Sequence, residues 1–110
     1  MSDTDTLTVL HRLSDLLKQR RTADPEKSYV ARLYSRGTAK IAQKVGEEAV
    51  ELAIAAVQGD RDDIRGEAAD LLFHLMVLLE DADLGLDDVA AELAARENLS
   101  GLEEKRRRTP

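Results

Sequence analysis

The chain has 110 residues, which fits one small domain spanning 1–110, and carries 22 acidic against 16 basic residues for a formal net charge of −6. That balance argues against general nucleic-acid binding, which rests on neutralising phosphates, so a polyanionic substrate would need local lysines, arginines or divalent metal. The chain has no cysteine, which excludes disulfides, zinc-thiolate sites and thiol catalysis.

The start, "MSDTDTLTVLHRLSDLL", is acidic and alternates polar with apolar residues, unlike a secretory signal. No segment reaches the length of a membrane span, and a soluble cytoplasmic protein is the expectation. The pattern is helical throughout, with no β alternation and no internal repeat. A first helix is expected from about Asp5 or Thr6 to Arg21, with Leu7, Leu10, Leu13, Leu16 and Leu17 as its apolar stripe. Pro25 breaks the helical pattern at "TADPEK". Ser28 caps a second segment, "SYVARLYSRG", which Gly37 ends. Thr38 is expected to cap a third helix that runs to Gln58 and stops at Gly59. Asp60 or Asp62 starts the fourth, which runs to about Asp83. Asp87 is expected to cap a fifth, ending near Asn98. The tail 100–110, with its basic run from Lys105 to Arg108, reads as a solvated end.

The third and fourth helices carry the chemistry. On the third, Lys40, Lys44, Glu47, Glu48 and Glu51 share one arc, and apolar residues cover most of the rest. An arc that wide exceeds what one neighbour covers, so packing on more than one side is expected. On the fourth, Glu67, Asp70 and His74 form a narrow stripe in an otherwise apolar run. A carboxylate there is costly to bury unless it is paired, hydrogen-bonded or bound to metal.

Folding the chain at Gly59 brings Glu51 level with Glu67 and Glu48 level with Asp70. Four carboxylates then converge on one patch, and Ala55, one turn beyond Glu51, leaves room beside it. A single E-x-x-E on a helix is a weak signal, and pairs such as Lys44–Glu48 are ordinary helix-surface features. Two acidic pairs that coincide in height beside heavy core are a stronger one. Hard oxygen donors suit Mg²⁺, with Mn²⁺ as the alternative. Glu48, Glu51, Glu67 and Asp70 are therefore the expected metal ligands. His74 is expected to hydrogen-bond Asp70 and orient it from behind the site.

The spaced pairs Glu48/Glu51 and Glu67/Asp70 resemble the signature of the all-α nucleoside triphosphate pyrophosphohydrolases. More narrowly, "KIAQKVGEEAVELAIAA", "GEAADLLFHLMVLL" and "SGLEEKRRR" resemble the phosphoribosyl-ATP pyrophosphohydrolase family of histidine biosynthesis. The resemblance covers nearly the whole chain from "SYVARLYSRG" onward, with no departure at the four acids.

It implies an all-α antiparallel helical bundle completed by homodimerisation. It implies hydrolysis of phosphoribosyl-ATP to phosphoribosyl-AMP and pyrophosphate, with Mg²⁺ and with the four acids as its ligands. Lys44 and, beside it, Lys40 become candidates for the phosphate chain, with Lys105 of the tail closing over the same phosphates. Glu47 or Glu48 would take the proton of the attacking water. Two other readings share the helices: a house-cleaning nucleoside triphosphate pyrophosphohydrolase with the same metal site, and a non-enzymatic helical dimerisation module.

Overall fold

The computed structural model describes residues 4–97, 105, 106 and 108. Among these the fold is all-helical, with five helices in chain order: α1 (Thr6–Arg20), α2 (Tyr29–Arg36), α3 (Thr38–Gln58), α4 (Arg61–Asp81) and α5 (Leu86–Ala95). Lys105, Arg106 and Arg108 are also helical and exposed. The rest of the expected solvated tail, residues 100–104, 107, 109 and 110, and with it "SGLEE", lies outside the described residues.

The helix ends follow local chemistry. Asp5 caps α1 by accepting from the Thr8 N–H, and Ser28 caps α2 by accepting from the Ala31 N–H. Gly37 closes α2 with φ of 91°, a value L side chains rarely adopt. Asp60 caps α4 by accepting from both Asp62 and Asp63. Two expected caps fall elsewhere. Thr38 is the first residue inside α3, because Gly37 already occupies the capping position, and its hydroxyl donates instead to Asp81 at 2.6 Å. The capping position before α5 belongs to Gly85 rather than Asp87, and the Gly85 N–H donates to the Asp88 carboxylate at 2.9 Å. Asp88 sits three positions on and can reach back, whereas Asp87 is already in the first turn. α5 also stops at Ala95, short of Asn98.

Gly59 is left-handed, with φ of 79°, and turns α3 tightly into α4. The two 21-residue helices pack along each other as an antiparallel hairpin, the frame of the molecule. α2 lies on α3, while α1 lies on α4 and α2. Between them sits the core: Leu17 of α1, Val30 and Leu33 of α2, Ile41 of α3, and Met76 and Val77 of α4. Burying an aliphatic side chain of this kind stabilises by roughly 1.5–3 kcal/mol. Arg21 fastens the open end, donating to the Glu80 carbonyl at 3.1 Å and to Asp83 Oδ1 at 2.9 Å.

Within the chain α3 is covered along one side only. Val50, Ile54 and Val57 are 59%, 52% and 89% exposed, and they succeed one another at helical spacing. The expected burial of this helix on more than one side is not met inside a single chain. Its second apolar face points outward.

Candidate functional site

Glu48 and Glu51 lie one turn apart on α3, and Glu67 and Asp70 one turn apart on α4. That spacing puts each pair on a single helix face. The antiparallel fold through Gly59 then sets the two faces against each other. One carboxylate oxygen from each of Glu48, Glu67 and Asp70 falls within 4.8 Å of the others. Glu51 is one turn from Glu48 and lines the same cavity as Glu67, and its charge acts on both carboxyls. The structure thus brings together all four acids singled out in the sequence.

Their surroundings differ. Glu48 is 7% exposed and Glu67 half-buried, while Glu51 and Asp70 face the outside. Burial pushes the Glu48 carboxyl above its ordinary value, and the charges of Glu51 and Asp70 push the same way; His74 acts against them. Glu67 is raised for the same reasons, by burial first and then by Glu51, Asp70 and Glu48. Oε2 of Glu48 and Oε2 of Glu67 are both buried with no hydrogen-bond partner. Buried acceptors left unpaired are costly, and two in one acidic seam more so. A set of converging hard oxygens with orphaned lone pairs fits a divalent cation of the Mg²⁺ type.

The remaining expected residues fall on the margins. Lys44 Nζ stands 3.6 Å from Glu47 and 3.8 Å from Glu48, at the side of the cluster toward the start of α3. Glu47 takes a hydrogen bond from the Gln43 amide at 2.7 Å. That bond first, then Lys44 and Lys40, holds its carboxyl below the ordinary value. Glu47 is therefore engaged along α3 with Gln43 and Lys44. Lys40 is half-buried one turn before Lys44, and Lys105 is exposed.

His74 is 6% exposed and makes the expected hydrogen bond to Asp70, through the backbone. Nδ1 meets the main-chain carbonyl of Asp70 at 2.7 Å rather than the carboxylate. In a helix the side chain at i+4 lies back over the carbonyl of residue i, so the ring reaches that oxygen first. Nε2 meets the hydroxyl of Tyr29 at 2.8 Å. Tyr29 was not visible as a site neighbour in the sequence, where it is one of few aromatics. Its only local signal is the Ser28 cap, which makes it the first residue of α2.

A shallow cavity of about 260 Å³ adjoins the acids toward the turn, lined by Glu51, Ile54, Ala55, Gln58, Asp63 and Glu67. The small side chain of Ala55 leaves this space open. A separate cleft of about 270 Å³, between α1 and the α4–α5 turn, holds none of the four acids.

The family model described as phosphoribosyl-ATP pyrophosphohydrolase matches residues 10–97. The chain is 59% identical over 96 residues to "Phosphoribosyl-ATP pyrophosphatase" of Rhizorhabdus wittichii, covering 87% of this chain and 91% of that one. It is 53% identical over 102 residues to the protein of the same name from Erythrobacter litoralis, covering 93% and 98%. It is also 53% identical over 92 residues to "Histidine biosynthesis bifunctional protein HisIE" of Photobacterium profundum, covering 84% of this chain and 44% of that longer protein.

Proposed function

The chain belongs to the phosphoribosyl-ATP pyrophosphohydrolase family, and from that premise we propose that it hydrolyses phosphoribosyl-ATP to phosphoribosyl-AMP and pyrophosphate in histidine biosynthesis, with Mg²⁺ held by Glu48, Glu51, Glu67 and Asp70. The observation that carries the site is the pair of buried, unpartnered oxygens on Glu48 and Glu67, set among two further carboxylates. When bound, the metal supplies charge neutralisation at phosphate oxygens and lowers the pKa of water.

The protein's own part is placement. Phosphoryl transfer needs alignment and positive charge more than covalent help. Lys44, beside the acids and 27% exposed at its side chain, offers an ammonium to the distal phosphates, with Lys40 a turn further out and Lys105 from the tail. Glu48 faces the cluster, whereas Glu47 is engaged with Gln43 and Lys44. Of the two candidate proton acceptors, we assign the role to Glu48, because it belongs to the acid cluster. Glu47 holds Lys44 in position. Cleavage then falls between the α- and β-phosphates, between the metal seam and the lysine stripe.

The outward apolar face of Val50, Ile54 and Val57 supports a homodimer in which the α3–α4 hairpins of two chains complete one bundle.

The test is product analysis by phosphorus NMR, with phosphoribosyl-ATP set against ordinary nucleoside triphosphates. Preferential turnover of phosphoribosyl-ATP with release of pyrophosphate is expected. Equal or better turnover of ordinary triphosphates would favour a house-cleaning enzyme instead. No turnover of either, with or without Mg²⁺, would favour a dimerisation module.

A further inference from the structure

His74 is out of place by composition. Leu71, Leu72, Phe73, Leu75, Met76 and Val77 surround it on α4, and packing alone would be served by another aliphatic residue. The ring instead has both nitrogens engaged. Nδ1 faces a carbonyl oxygen, which can only accept, so Nδ1 carries a proton. Nε2, the other nitrogen, lies 2.8 Å from the Tyr29 hydroxyl, which can donate to it. Each bond fixes one side of the ring, so its rotation and its tautomer are both set.

Tyr29 is itself held. Its ring stacks on Phe73 with centroids 6.3 Å apart and planes 23° from parallel. It stands edge-on to His74 with centroids 5.9 Å apart. The cap at Ser28 pins the backbone from which it projects. The far end of this chain of contacts is the acid cluster. His74 grips the backbone of Asp70, one of the clustered acids, directly.

We propose that Tyr29 is a positioning residue for the acid cluster, acting through His74: it carries the placement of α2 into the seam of α3 and α4. The inference rests on the proposed metal site. Groups behind metal ligands that orient them are commonly worth about tenfold or more in metal affinity.

The experiment titrates Mn²⁺, followed by electron paramagnetic resonance, into the 110-residue chain, Tyr29→Phe, His74→Leu and the double variant, with melting temperatures for each. Tyr29→Phe keeps the ring and its stacking and removes only the hydroxyl. It is expected to weaken Mn²⁺ binding about tenfold with little change in melting temperature. In the His74→Leu background, Tyr29→Phe should cost nothing further, since its route to the acids is gone. Unchanged Mn²⁺ affinity in Tyr29→Phe would overturn the inference, and so would losses that multiply in the double variant. A wild-type protein that binds no Mn²⁺ would bring down the metal reading and this inference with it, and that failure shows without any substitution. Nitrogen NMR of the metal-free protein gives an independent reading. The Nδ1–H tautomer is expected at His74, and an Nε2–H ring would overturn the proposal whatever the metal does.

Discussion

Thr38 donates its hydroxyl to Asp81 at 2.6 Å, which ties the first residue of α3 to the last residue of α4. Thr38 lies 21 positions before Gly59 and Asp81 lies 22 after it, within one position of symmetric. Glu51 and Glu67 are equidistant from Gly59, and so are Glu48 and Asp70. One register, set by the left-handed turn at one end and closed by this bond at the other, brings the acids level.

The turn is the sensitive end. Gly59→Ala places a Cβ at φ of 79° and should cost about 1 kcal/mol. Thr38→Val removes an exposed bond and should cost less, about 0.5 kcal/mol. Denaturant unfolding of the two variants checks the order, and a larger loss in Thr38→Val would reverse this view of the hairpin.

Metal should stabilise the fold, because it binds the folded acids and not the unfolded chain. Mg²⁺ is expected to raise the melting temperature. Glu51→Gln or Asp70→Asn should abolish that increment and most activity, and full activity in excess chelator would be incompatible with the site. The pH dependence has a definite sign. Glu48 and Glu67 are raised above 4.5 in the fold, so without metal their contribution is present at low pH and is lost as pH rises through their folded values. The metal-free melting temperature should fall on that account as pH rises from 4.5, while the Mg²⁺ increment grows, since the ligands must be deprotonated. Melting curves across that range with and without Mg²⁺ measure both trends, and a shrinking increment would contradict the assignment.

Lys44 separates a structural ion pair from a substrate contact. Its partners are 3.6 Å and 3.8 Å away, distances at which a partly exposed pair contributes about 1 kcal/mol at most. Lys44→Ala should raise KM about tenfold or more with the fold intact. A lowered melting temperature with unchanged kinetics would leave Lys44 as an ion-pair partner only.

Association is tested at Val57, which is 89% exposed and therefore contributes nothing to the core of its own chain. Val57→Glu should leave helix content unchanged and convert a dimer to monomer in sedimentation. A wild-type protein that sediments as a stable folded monomer at micromolar concentration would rule the dimer out.

Bond cleavage has its own measurement. In heavy-oxygen water without added pyrophosphatase, pyrophosphate should be the first phosphorus product. Early orthophosphate, or a diphosphate nucleotide intermediate, would place the attack at the γ-phosphate instead.

The helices, their approximate ends and the convergence of four acids were all legible in the sequence, because each depends on short-range regularities. Helical periodicity puts Glu48 with Glu51 and Glu67 with Asp70. A glycine able to adopt φ of 79° turns the chain at one position, and equal spacing on either side does the rest. What depends on contacts between distant segments was not legible. Thr38 looked like a cap until Asp81, 43 positions away, supplied another partner. His74 pairs with Asp70 as expected, but its partner on the far side is Tyr29, 45 positions away on α2. The apolar width of α3 announced two packing faces, and only the tertiary structure decided that α4 and α2 lie along one while Val50, Ile54 and Val57 form the other. Periodicity fixes which residues share a face; which face meets which neighbour is settled by how all the helices pack at once.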